Sequence, residues 1–152
     1  MLEELASSRE LSPSDRSHLT VLSVLHFVGA GLAALGLVFV GLHFLLFRTV
    51  LTNPAFQGPP GAPPPPAEFF AIFKWVYLCL GLWYGTSLVM NLLAGSYLHT
   101  HQRRTFCFVT AALNCLHLPL GTVLGIFTII VLARDAVRAA FAPRTPDVER
   151  LA

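Results

Sequence analysis

Charge is scarce in this chain, and acidic charge is nearly missing from its long apolar middle. Asp, Glu, Lys and Arg make up 12% of the residues against 55% hydrophobic ones, and the mean hydropathy is +0.66. Between Asp15 and Asp135 the one acidic residue is Glu68, at the edge of an apolar run. A proton or cation relay across a membrane therefore lacks its usual carboxylate. Cysteine is sparse too. Cys79, Cys107 and Cys115 lie inside apolar segments with no C-x-x-C spacing, so they read as small buried hydrophobes rather than a disulfide or zinc framework, and no metal site is expected. There is no G-x-S-x-G, no H-E-x-x-H and no phosphate-cradling glycine loop. Met1–Leu11, MLEELASSREL, has neither the basic start nor the short apolar core of a secretory signal, and reads as a surface helix or tail. Neither catalysis nor a nucleic-acid partner is expected.

What is present is apolar length. Thr105–Phe141 is one long apolar run broken by Leu118-Pro119-Leu120-Gly121. Proline removes a backbone donor and clashes with the preceding turn, and glycine tolerates unusual angles, so two short helices meeting at a turn fit better than one span. Arg103 and Arg104 precede the run and Arg134 and Arg138 close it, while the turn carries no charge. This is the pattern of a membrane hairpin with both ends on one side. Upstream, Ser12-Pro13-Ser14-Asp15 reads as a helix start, with Ser12 as N-cap and Pro13 at the first position. Leu19–Phe47 follows without proline; its 29 residues would cover about 43 Å of helix, more than a hydrocarbon core of roughly 30 Å. Arg48–Ala67 holds seven of the eleven prolines, four in succession at Pro63–Pro66, and is expected as a stiff extended spacer. Glu68–Tyr97 is the second long span.

The expected fold is all-α: a polytopic membrane protein with four transmembrane helices and a short C-terminal hairpin. The spans fall at about 18–47, 68–97, 105–118 and 120–141, between an N-terminal tail (1–17) and a C-terminal tail (143–152). Four spans place Arg9, Arg16, Arg103, Arg104, Arg134, Arg138, Arg144 and Arg150 on one side and leave only Arg48 and Lys74 opposite. A three-span path would split these charges four against six, so the excess of positive charge selects four spans with both termini cytoplasmic. The last two segments are short of a full bilayer. A re-entrant hairpin is the neighbouring alternative and gives the tails the same topology.

Small and polar residues recur on helical faces. A helix advances about 100° per residue, which puts His26, Gly29, Ala30, Ala33 and Gly36 on one face of the first span. Leu22, Leu25, Leu32 and Phe39 are expected to lie elsewhere, toward lipid. On the second span Gly81, Tyr84, Gly85, Leu88, Asn91 and Gly95 share a face, a Gly-xxx-Gly notch joined to polar side chains. Mid-span Trp83 and Tyr84 should face protein, because an N–H or O–H is unsatisfied in lipid. Cys107, Thr110, Asn114 and His117 form a stripe on the third span, and Gly121, Gly125 and Thr128 one on the fourth. Asn91 and Asn114 are the strongest candidates for interhelical hydrogen bonds, each worth about 0.6–2 kcal/mol in a membrane bundle.

Leu22–Val28, LSVLHFV, followed much later by Leu118–Thr128, LPLGTVLGIFT, resembles a group of small uncharacterised bacterial membrane proteins whose C-terminal hairpin reads P-x-G-T-x-L-G-x-[FYW]. The resemblance runs from His18 to Phe141 and omits the proline-rich loop and the acidic tail. It implies the bacterial inner membrane and brings no activity with it.

Histidines are the remaining candidates for chemistry. His26 paired with His99 or His101, and His43 with His117, would lie at two depths, as a b-type cytochrome with two haems requires. The plainer reading makes His26 and His117 buried hydrogen-bonding groups and the others interfacial, with no cofactor bound. Arg103, Arg104, Arg134 and Arg138 could meet anionic lipid headgroups, although orientation alone explains them. The expected function is non-enzymatic, acting through helix packing as a small subunit or accessory of a membrane assembly or as a homo-oligomer; haem-based electron transfer is the alternative.

Overall fold

A computed structural model describes residues 12–53, 67–117 and 119–142, which are all-helical with no strand among them. The elements are α1 (Pro13–Thr52), α2 (Ala67–Thr100), α3 (Arg104–Asn114), α4 (Leu120–Ala133) and α5 (Asp135–Ala140). α1 and α2, with 40 and 34 residues, are long and apolar enough to cross a membrane. With 11 and 14 residues, α3 and α4 reach only about 16 and 21 Å.

Local chemistry sets the ends. The Ser14 N–H donates to Ser12 Oγ (3.3 Å), Pro13 occupies the first helical position, and Asp15 lies against the positive end of the α1 dipole. Helix α1 runs five residues beyond Phe47, through residues expected as loop. Nothing in Arg48–Thr52 breaks a helix, whereas Asn53 precedes Pro54 and is disfavoured in the helical region. Most of the proline-rich spacer lies outside the described residues, as do the N-terminal segment and the C-terminal tail.

Helix α2 closes with the Gln102 N–H donating to Tyr97 O (2.9 Å) around His101 at φ 53°, a left-handed position usually given to glycine. The break around Pro119 separates α3 from α4, and Thr122 satisfies the interrupted backbone: its hydroxyl donates to Cys115 O (2.9 Å) and its N–H to His117 O (3.2 Å). The fourth segment is not one helix to Phe141. It stops at Ala133, Arg134 turns extended (ψ 138°), and α5 restarts with Asp135 in its first turn.

The chain divides into two compact units. The first (1–28 and 90–152) holds the start of α1, the end of α2, and α3–α5. Its core is Leu19, Leu22, Leu98, Cys107, Val131, Leu132 and Val137. Leu22 is fully buried rather than lipid-facing. It stands one turn before His26, about 40° around the helix, and so shares the inward face. The second unit (29–89) is the remainder of α1 and α2. It is held by rings: Phe47 stacks on Phe73 with centroids 4.7 Å apart, Phe44 meets Tyr77 edge-on at 5.2 Å, and Tyr84 lies against Gly36. Trp83 is 41% exposed, not turned inward as expected; the neighbouring Tyr84 takes the side that meets α1.

Candidate functional site

The polar side chains of the first unit converge on one buried network, with one member from each of four helices. His26 comes from α1, Asn91 from α2, Asn114 from α3 and Thr128 from α4, and all four are buried. The two amides bond reciprocally: Asn91 Nδ2 donates to Asn114 Oδ1 (3.1 Å), and Asn114 Nδ2 to Asn91 Oδ1 (2.8 Å). Asn91 Oδ1 also faces His26 Nδ1 at 2.9 Å. An amide oxygen only accepts, so Nδ1 carries the proton, and in the neutral ring Nε2 is the acceptor. Thr128 Oγ1 lies 3.2 Å from Nε2 and 2.7 Å from its own α4 carbonyl at Leu124, so one hydroxyl proton serves two acceptors. Asn91 Oδ1 accepts twice. Chemically, the arrangement fixes the rotation and register of four helices at once.

Close backbone approach makes room for it. A Cβ added at Gly125 would stand 2.6 Å from Cys115 Sγ, and one at Gly121 would stand 2.5 Å from Asn114 O. At Gly95 it would meet Ser23 O and the Phe27 ring at 3.2 Å, beside the 2.8 Å bond from the Ser23 hydroxyl to Gly95 O. Thr110 is buried and donates to Phe106 O (3.0 Å). In the second unit Ala33 is buried, Gly29 is half-buried, and Gly36 lies under Tyr84. Gly81 and Gly85 are different: a Cβ added at either meets nothing within 4 Å among the described residues.

The histidine pairs required for haem are not brought together at His26, whose two ring nitrogens are taken by Asn91 and Thr128. His43 bonds through Nδ1 to the Tyr77 hydroxyl and stacks on Phe47; His99 is exposed at the end of α2; His117 is half-buried in the turn after α3. Among the described residues no group of three or more His, Cys, Asp and Glu side chains is placed to hold a metal ion.

Two of the four arginines expected near lipid headgroups are hydrogen-bonded or ion-paired within the chain. Arg104 Nε and Nη2 donate to Leu132 O (3.0 and 2.6 Å), satisfying a carbonyl in the last turn of α4. Arg134 Nη1 pairs with Asp15 Oδ1 at 2.8 Å. Arg103 lies over the Tyr97 ring (5.6 Å), and Arg138 is exposed. Neither the Asp15–Arg134 pair nor the Arg104 cap has a signal in the sequence, because periodicity relates residues within one helix and not across two. Comparison with protein families, curated proteins and solved structures finds nothing that matches this chain.

Proposed function

We propose that this is a non-enzymatic integral membrane protein of the bacterial inner membrane that acts through helix packing, as a small subunit or accessory of a larger assembly or as a homo-oligomer. Both termini and the 98–104 loop are cytoplasmic in this reading, on the side that collects eight of the ten Lys and Arg residues. α1 and α2 span fully, while the α3–α4 hairpin crosses with a recessed tip or re-enters. The likeness to small bacterial membrane proteins supports the location. The observation that carries the function is the contrast between a saturated interior and an open face. His26, Asn91, Asn114 and Thr128 are spent on one another in the four-helix network, whereas a Cβ added at Gly81 or Gly85 meets nothing within 4 Å among the described residues. Haem has no part in this reading, because ligation through His26 Nε2 would displace its contact with Thr128 Oγ1.

Purification in a mild detergent followed by native mass measurement tests the reading. The expected result is a multiple of 16.6 kDa or a complex with a second protein, from a colourless sample. A lone 16.6 kDa species, or a Soret band that shifts on reduction, would overturn it.

A further inference from the structure

We propose that the end of the first unit carrying Arg16, His99, His101 and Arg138 binds the phosphate headgroup of an anionic phospholipid, and that histidine protonation makes this binding pH-dependent. The proposal rests on the membrane-spanning reading above and sharpens its lipid contact to particular residues.

Three elements meet there. Arg16 lies in the first turns of α1, His99 and His101 end α2, and the His101 ring packs edge-on against Phe141, just past α5, with centroids 5.8 Å apart. Arg138 stands one turn before Phe141. Arg16, His99 and Arg138 are exposed and His101 is half-buried. Among the described residues no carboxylate forms an ion pair with them. Asp15 is held by Arg134, in the one ion pair among the described residues, and Asp135 sits in the first turn of α5. Arg104 and Arg134, the more obvious headgroup candidates, are committed internally.

Burial first, then the charges of His99 and Arg16, holds the His101 imidazole below the ordinary histidine value. Arg16 and His99 both oppose a proton on His101, and an anion placed among the three would be attracted by all of them once His101 is protonated. The charged groups acting on His101 are Arg16 from α1 and His99 from its own helix, both basic, and the apolar ring of Phe141 packs against it. A lipid is favoured over free phosphate by what lies beyond the cations. Thr20 and Val24 continue the exposed stripe from Arg16, and Ser96 and Leu92 continue the one from His99. Acyl chains have apolar surface to lie on, which a free anion would not use.

The sign follows from linkage. A bound phosphate stabilises imidazolium, raising the histidine pKa in the complex above its lowered value in the free protein. Affinity therefore climbs as pH falls from the raised value to the lowered one, by up to about tenfold per pH unit for each coupled proton.

The full chain in nanodiscs of phosphatidylcholine, with and without phosphatidylglycerol, can be read by lipid retention in native mass spectrometry at pH 8 and pH 6. At least a fivefold enrichment of phosphatidylglycerol at pH 6, shrinking at pH 8, is expected. His101→Asn keeps a residue that tolerates the left-handed turn, and should flatten the pH dependence without unfolding the chain. Arg16→Gln should lower retention at both pH values, and Arg48→Gln at neither. Equal retention of the two lipids, or an unchanged pH dependence in His101→Asn, would overturn the proposal. So would displacement of the lipid by millimolar inorganic phosphate, which would make the site one for a free anion. A failure here leaves the native mass result untouched, so the two readings fall separately.

Discussion

The two units solve the same problem, holding apolar helices together, by opposite means. The first unit buries directional groups: an imidazole, two amides and a hydroxyl whose bonds are mutually exclusive with other registers. The second relies on stacked rings, one ring-on-glycine contact and the exposed His43–Tyr77 hydrogen bond, and leaves Leu35, Leu42, Leu82 and Trp75 largely exposed. In lipid the hydrophobic effect does not separate core from surface, so contact geometry and hydrogen bonds decide. A unit with internal polar bonds is specified by its own chain. One built on rings and small residues keeps faces that a second molecule can use.

The largest effect expected from breaking this comparison lies at Gly125. Gly125→Ala drives a Cβ into Cys115 Sγ and the adjoining α3 backbone, and backbone cannot rotate away as a side-chain tip can. A loss of about 2–3 kcal/mol is expected, the upper part of the range for overpacking, read as a lower unfolding midpoint in detergent. Its counterpart at Gly81 should cost nothing of the kind.

Next comes the network itself. Asn114→Leu removes both amide bonds to Asn91, while the more apolar helix inserts at least as readily. The expected loss is about 1–2 kcal/mol. Asn91→Leu should cost somewhat more, since His26 Nδ1 loses its acceptor as well. The double variant should fall short of the sum, because the two changes delete the same pair. Heat stability equal to the parent in both single variants would show that the network does not hold the helices.

Much of this contrast is legible in the sequence, and the limits are physical. The start at Ser12-Pro13 and the break at Pro119 follow from backbone chemistry that any reader of the chain can apply. Asn91, Asn114, His26 and Thr128 each stand out as polar residues on an inward stripe. That the four meet at one point is not legible, because the periodicity of a helix fixes its inward face and not its height against its neighbours. The break at Arg134 was hidden for a different reason. No glycine or proline marks it, and the extended residue is instead tied by a side-chain pair to Asp15, far away in sequence.

The smallest effect on the chain itself, and the sharpest on the comparison, is expected at Gly85. A Cβ added there meets nothing within 4 Å among the described residues. Glycine is also the weaker helix former, by about 1 kcal/mol against alanine and less against leucine, so Gly85→Leu should leave the unfolding midpoint unchanged or slightly raised. If a partner helix seats in the Gly81–Gly85 notch, the same leucine removes the close approach that small residues permit, and the native mass should drop to 16.6 kDa while stability holds. Stability and association would then separate in one variant. An assembly that persists in Gly85→Leu would move the contact to another face of the second unit.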